Sequence, residues 1–190
     1  MILPIIKYGN PVLRKKGERI ESVTAEIKHL IADMFETMAA NHGVGLAAQQ
    51  VGHALQLTVL DVREVAKDRP STLELKGRPA DVADLMPLVL INPEITPVGG
   101  PATGGEGCLS FPEIFAEISR PESVVVKALN EKGKVIEFRC GGLLARAVQH
   151  ETDHLNGILF IDRMERKTKE EFRDELDALQ AATKAELKKK

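Results

Sequence analysis

This sequence has no marked excess of either charge: 26 Lys and Arg stand against 28 Asp and Glu, for a formal net charge of −2 over 190 residues. A dedicated nucleic-acid binder shows a basic face or a surplus of Lys and Arg, so specific DNA recognition is not expected. No stretch approaches the roughly 18 apolar residues that a membrane-spanning helix needs. The opening MILPIIKYGNP lacks the basic start of a secretory signal, and Pro4 and Lys7 interrupt its apolar residues. Only two cysteines are present, Cys108 and Cys140, too few for a disulfide framework. These absences predict a cytoplasmic protein with reduced thiols. Internal repeats and low-complexity linkers are also missing. What remains is 43% hydrophobic and 28% charged, the composition of an ordinary globular chain. Its length fits one domain, residues 1–190.

Periodicity divides the chain. After Thr24, read as an N-cap, Ile27, Leu30, Ile31, Met34 and Met38 recur at helical spacing, and the pattern stops at His42-Gly43. Residues 57–61 (LTVLD) and 88–91 (LVLI) read as short buried strands. Between them, 64–86 carries Lys67, Asp68, Arg69, Pro70, Lys76, Gly77, Arg78 and Pro79 and reads as a polar surface insertion. From Pro93 to Gly107, proline and glycine recur too often for a helix. Residues 123–130 and 135–140 flank Glu131-Lys132-Gly133-Lys134, a hairpin signal. A helix from about Leu143 ends near Asn156-Gly157, where glycine suits the position after the cap. The last helix is predicted to open at Thr168, with Glu171 in capping-box spacing. Phe172, Leu176, Leu179 and Leu187 would form its apolar face. Strands cluster and helices sit at the ends, which favours an α+β fold.

Chemistry concentrates in Gln149-His150-Glu151-Thr152-Asp153-His154. Residues four apart share one face of a helix, so His150 and His154 can point at one metal ion. Glu151 sits beside that face, placed to take a proton from an activated water. Leu143 and Ala147 lie on the same face, and two imidazoles on an otherwise apolar stripe are costly unless something satisfies them. A third protein ligand is needed. The longer H-E-x-x-H-x-x-G-x-x-H pattern fails, because Gly157 is in place but Phe160 stands where its third histidine belongs. Glu165, Glu170, Glu171 and Glu175 lie downstream, but Glu171 is explained by capping and the others sit on a charge-alternating face that is more simply solvated. Cys140 alternates with Ile136 and Phe138 and reads as a buried apolar residue. Cys108 sits instead in Gly105-Glu106-Gly107-Cys108-Leu109-Ser110, where glycines let the backbone approach a ligand closely. One cysteine and two histidines suit zinc or ferrous iron and leave a position open for water. A third segment, Gly43-Val44-Gly45-Leu46-Ala47-Ala48-Gln49-Gln50, offers small residues for a ligand-lined wall, and Gln50 offers an uncharged donor to an oxyanion.

GVGLAAQQ, EGCLS and QHETDHLNG, in this order, resemble the three signature segments of the peptide deformylase family. The likeness runs from GNPVLR to the ILFIDR that follows the histidine pair. It implies an α+β fold with mixed or antiparallel sheets packed around a central metal-binding helix, and a C-terminal helix. It implies removal of the N-formyl group from nascent polypeptides that begin with formyl-methionine. By the same resemblance, Cys108, His150 and His154 are the metal ligands and Glu151 is the catalytic acid and base. Gln50 and the backbone N–H of Leu109 are the oxyanion donors, and Gly45 is a backbone contact to substrate. Fe²⁺ is the implied metal, with Zn²⁺ or another divalent ion as a substitute. Two rivals use the same residues: an endopeptidase, and a structural metal domain that would need a fourth protein ligand. The Lys188-Lys189-Lys190 end reads as a solvated helix terminus whose cations complement the macrodipole. The resemblance adds docking of the C-terminal helix to ribosomal RNA.

Overall fold

In the computed structural model, which describes residues 1–189, helix α1 (Ala25–Ala40) leads into the short strand β1 (Gly45–Ala47) and then β2 (Leu57–Leu60). The Thr24 side chain caps α1 by accepting from Ile27 N–H at 3.3 Å. Two short strands follow, β3 (Ser71–Leu75) and β4 (Arg78–Ala80). Then come two very long ones, β5 (Leu88–Cys108) and β6 (Phe111–Leu129), and β7 (Val135–Gly141). The chain closes with α2 (Gly142–Leu155), a short α3 (Arg166–Glu171) and α4 (Arg173–Leu187). The seven strands form one sheet in the order β1-β2-β5-β6-β7-β3-β4, and every pair of neighbours is antiparallel. The fold is α+β, as expected.

Period-two burial builds the long strands. Along β6, Ile114, Ala116, Ile118, Val124, Val126 and Ala128 point inward. The β5–β6 ladder slips near Ile91, Val98 and Gly107, and each slip bends the strands. The last is the one that matters. Gly107 pairs with Phe115 while Cys108 pairs with Phe111, so Pro112, Glu113 and Ile114 bulge out beside the hairpin tip.

Against this sheet packs α2, buried at 12 of its 14 residues. Leu144, Val148, Val124, Val126 and Phe138 share one core cluster, and each such side chain is worth about 1.5–3 kcal/mol when removed from water. The helix stops at Asn156, and Gly157 takes φ +72°, the left-handed conformation that glycine adopts without strain.

Three expectations need correction. The 64–86 stretch is not merely a polar surface insertion: β3 and β4 extend the sheet beyond β7, and Leu73 and Met86 are buried in the main core. Its charges crowd the turns and hide that inward pattern. The last helical region opens one turn before Thr168. Buried Met164 pins the chain there, Glu165 stands at the cap, and Thr168 lies inside α3 with its carbonyl accepting from Phe172 N–H. The apolar face holds at Phe172, Leu176 and Leu179, but Leu187 is exposed. Of the terminal lysines, Lys190 lies outside the described residues.

Candidate metal centre

Helix α2 is buried all round, so its polar residues cannot turn to solvent. Gln149, His150, Glu151, Thr152, Asp153 and His154 are all less than a tenth exposed. Six buried polar side chains in succession call for partners, since each unpaired one costs roughly 1–3 kcal/mol; Gln149, His150, Asp153 and His154 have them, while Glu151 Oε2, Thr152 Oγ1 and His154 Nδ1 have none among the described residues. Their partners define the site.

Cys108 comes from the tip of the β5–β6 hairpin, delivered there by the final slip in the ladder. One ligand atom from each of Cys108, His150 and His154 lies within 4.8 Å of the other two, and Cys108 Sγ is 3.4 Å from His154 Nε2. This is a candidate metal site. A thiolate with two imidazoles is a donor set for zinc or ferrous iron, and three protein ligands leave a position open. The His150 ring is oriented for that role. Its Nδ1 is engaged by Glu106 Oε1 at 2.8 Å, which leaves Nε2 as the free ring nitrogen. Burial, reinforced by the neighbouring charges of His150 and Arg120, pushes the His154 pKa well below its usual value, whereas hydrogen bonds to Cys108 and Glu106 outweigh burial and raise that of His150. The donor set and the Glu106 bond both fit a metal. Cys140 takes no part. It is buried among Val124, Phe138 and Leu144, and burial pushes its thiol up to about 12.

Sequence reasoning missed the structure beneath the ligands. Arg120 grips Glu106 with two bonds, Nε to Oε2 at 2.6 Å and Nη2 to Oε1 at 2.9 Å, and Arg146 Nη1 adds a third to Oε2 at 2.8 Å. The other arm of Arg120 reaches Asp153 Oδ2 at 2.8 Å, and Arg163 braces Asp153 from outside. Burial by itself would raise the Glu106 pKa, but hydrogen bonds from His150 and Arg120 hold it far below the usual carboxylate range. One cue was available: along β6 the inward positions Ile114, Ala116 and Ile118 are followed by Arg120, a charge where the pattern demands an apolar residue. Arg120→Met is expected to lower stability by about 3 kcal/mol, because buried Glu106 would keep only Arg146 and Asp153 only the more exposed Arg163 as cationic partners. Denaturant unfolding checks it, and an unchanged midpoint would refute the bracing role.

The remaining candidates surround a cavity of about 430 Å³, which takes in Gly45, Gln50, Cys108, Leu109, His150 and Glu151. Leu143 and Ala147 line it too, so the apolar stripe of α2 faces the cavity. Gln50 is buried; its Oε1 accepts from Ala47 N–H at 2.9 Å, and its amide nitrogen lies 3.2 Å from Ser110 Oγ and 3.5 Å from Cys108 Sγ. The Leu109 carbonyl accepts from Lys7 Nζ at 2.8 Å, which fixes that peptide unit. Glu151 is buried, its Oε2 has no hydrogen-bond partner, and burial raises its carboxyl to about 7. A Cβ on Gly45 would lie 2.5 Å from Glu151 Oε1. A side chain at 45 would therefore push the Glu151 carboxylate aside, a constraint the motif did not reveal. Gly45→Ala is expected to displace that carboxylate and cut kcat at least about tenfold with little loss of stability. Steady-state kinetics beside a melting curve would show it, and an unaltered kcat would disprove the close approach.

Comparison with known proteins follows the same outline. A family model described as polypeptide deformylase matches residues 2–170. A peptide deformylase of Opitutus terrae is 43% identical over 190 residues, covering 99% of this chain and 98% of that one. One of Methylacidiphilum infernorum is 45% identical over 179 residues, covering 94% and 93%. Among solved structures, a peptide deformylase from Legionella pneumophila superposes with a TM-score of 0.78 at 36% identity, covering 96% of this chain and 97% of its own. Peptide deformylase 1B of Arabidopsis thaliana, solved in complex with an inhibitor, gives 0.83 at 36% identity, covering 97% and 93%.

Proposed function

Because this chain belongs to the polypeptide deformylase family, we propose that Glu151 carries its reaction, with Cys108, His150 and His154 holding Fe²⁺ beside it. The enzyme is a metal-dependent hydrolase that removes the N-formyl group from the formyl-methionine of newly synthesised polypeptides. One formyl-methionyl peptide and one water become formate and a methionyl peptide.

The observation that supports this assignment of roles best is the state of Glu151. Its carboxyl is buried, raised to about 7, and one oxygen is unpartnered at the wall of the cavity. A group with a pKa near neutrality both accepts and returns a proton efficiently. Glu151 takes a proton from the attacking water and delivers it to the amide nitrogen as the C–N bond breaks. An ion held by Cys108, His150 and His154 would supply Lewis acidity, lowering the pKa of a bound water and polarising the formyl oxygen. Gln50 and the Leu109 N–H donate to the oxygen that gains charge, and one such donor is typically worth about 2.7–4 kcal/mol. Gly45 keeps the wall low enough for the substrate backbone to pass beside Glu151. Zn²⁺ or another divalent ion would occupy the same three ligands. The reaction is placed in one catalytic domain, in the cytoplasm.

The test is metal analysis of protein purified without oxygen, with formate release measured from a formyl-Met peptide that also contains an internal bond. Iron and formate are expected. Cleavage of the internal bond with the formyl group retained would favour an endopeptidase. Zinc in place of iron, with no gain on adding iron, would overturn the metal. A further partner reading places α4 and its lysines on ribosomal RNA. Removing residues 184–190 should then weaken ribosome binding, and unchanged affinity would refute it.

A further inference from the structure

Three consecutive residues ahead of α1 bond to the backbone on both sides of the reaction's oxyanion donors. Ile6 N–H donates to the Gln50 carbonyl at 2.8 Å, and Tyr8 N–H donates to the Ser110 carbonyl at 3.0 Å. Between them, Lys7 Nζ donates to the Leu109 carbonyl at 2.8 Å. Gln50 belongs to a short turn that follows β1, whereas Leu109 and Ser110 form the tip that joins β5 to β6. Gln50 and Ser110 are 60 residues apart in sequence, so nothing local sets the distance between the two donors. The tip has little support of its own. Cys108 pairs with Phe111, which leaves the Leu109 and Ser110 carbonyls outside the β5–β6 ladder, to be fixed by residues 7 and 8. Of the three bonds, only that of Lys7 comes from a side chain. Lys7 lines the cavity beside Leu109 and is half-buried. Drawing an ammonium partly out of water to meet a carbonyl instead of a carboxylate gains little stability. Its cost points to a task at the cavity.

We propose that Lys7 is a positioning residue for deformylation: its bond to the Leu109 carbonyl holds the hairpin tip so that the Leu109 N–H and the Gln50 amide meet the developing oxyanion together. This rests on the deformylase reading above and adds a residue that lies outside all three signature segments. The N–H and the carbonyl of Leu109 flank a single Cα. Rotation about the two bonds of that Cα is the motion that would swing the N–H away, and Lys7 restrains it. A donor aligned in advance needs no reorganisation as charge develops; a freed tip would have to be aligned at each turnover. Lys7 itself does not reach the reacting atoms in this role, so its loss should appear in kcat and spare KM.

The experiment compares Lys7→Met, which keeps the apolar stem and loses the donors, with Lys7→Arg, which keeps donors and charge. Both are assayed on a formyl-Met peptide as metal-loaded enzyme, with kcat expressed per bound metal ion so that partial loading does not mimic the result. Lys7→Met should lower kcat by about ten- to hundredfold, short of the roughly 10²–10³ that outright loss of a donor costs, with KM changed less than about twofold. Lys7→Arg should recover most of that loss. A second readout needs no turnover. In zinc-loaded Lys7→Met, NMR order parameters of the Leu109 and Ser110 amides should fall from the rigid value of about 0.85 toward about 0.6, while those of α2 stay as they were. An unchanged kcat, a loss confined to KM, an arginine variant no better than the methionine one, or tip amides as rigid as before would each overturn the proposal. No formate from the unaltered protein would instead bring down the deformylase reading, and the order parameters would still decide whether Lys7 holds the tip.

Discussion

Glu151→Gln should retain its metal and lose turnover by about 10²–10⁴ in kcat. The carboxamide keeps the shape of the side chain, so Gly45 still fits against it and the three ligands are untouched. What disappears is a group able to accept a proton. Substrate should still bind, so the loss is expected in kcat rather than KM. Burial makes the test cleaner. A charged carboxylate is costly in this environment, as the rise to about 7 shows, so the neutral isostere should leave the fold as stable as before or slightly more so. Metal per protein, a melting curve and formate release together decide the matter. More than half the activity remaining would remove Glu151 from its role.

The second large effect separates the two cysteines. Cys108→Ala removes one of three candidate ligands and should strip or weaken the metal, with activity falling in parallel. Cys140→Ala should keep metal and kcat and lose only about 1 kcal/mol of packing among Val124, Phe138 and Leu144. Oxidation should follow the same division. Air or peroxide should inactivate the protein through the ion or the Cys108 sulfur, and Cys140→Ala should give no protection. Burial pushes the Cys140 thiol up to about 12, so it offers almost no thiolate to an oxidant. If Cys140→Ala lost the metal while Cys108→Ala kept it, the ligand set would be wrong.

The parts of the site legible in the sequence are the local ones. His150 and His154 could be read because helical spacing sets their geometry, and Cys108 because glycines lead up to it at 104, 105 and 107. The Thr24 cap and the α2 stop at Gly157 were readable for the same reason. The brace of Glu106, Arg120, Arg146, Asp153 and Arg163 was not. Its members come from β5, β6, α2 and the segment beyond, and they meet only because a hairpin of about 40 residues folds back across the helix. Only the odd charge at Arg120 hinted at it. Charge counting misjudged 64–86 in the opposite direction: turn residues dominated the composition, while Leu73 and Met86 decided the packing. At Thr168 a favourable local signal lost to burial of the neighbouring Met164.

The central position of α2 has a consequence for the order in which the protein takes shape. All seven strands precede α2 in the chain, and the helix fills the apolar face they create. On a growing polypeptide, the sheet residues Leu90, Val124, Val126 and Phe138 emerge before Leu144 and Val148 exist to cover them. That interval leaves an open hydrophobic surface, which closes only when the helix docks. The same late event brings His150, Glu151 and His154 to Cys108. Exposure to misassembly and absence of activity therefore end at one moment, and a truncated chain ending before residue 142 should be both inactive and sticky.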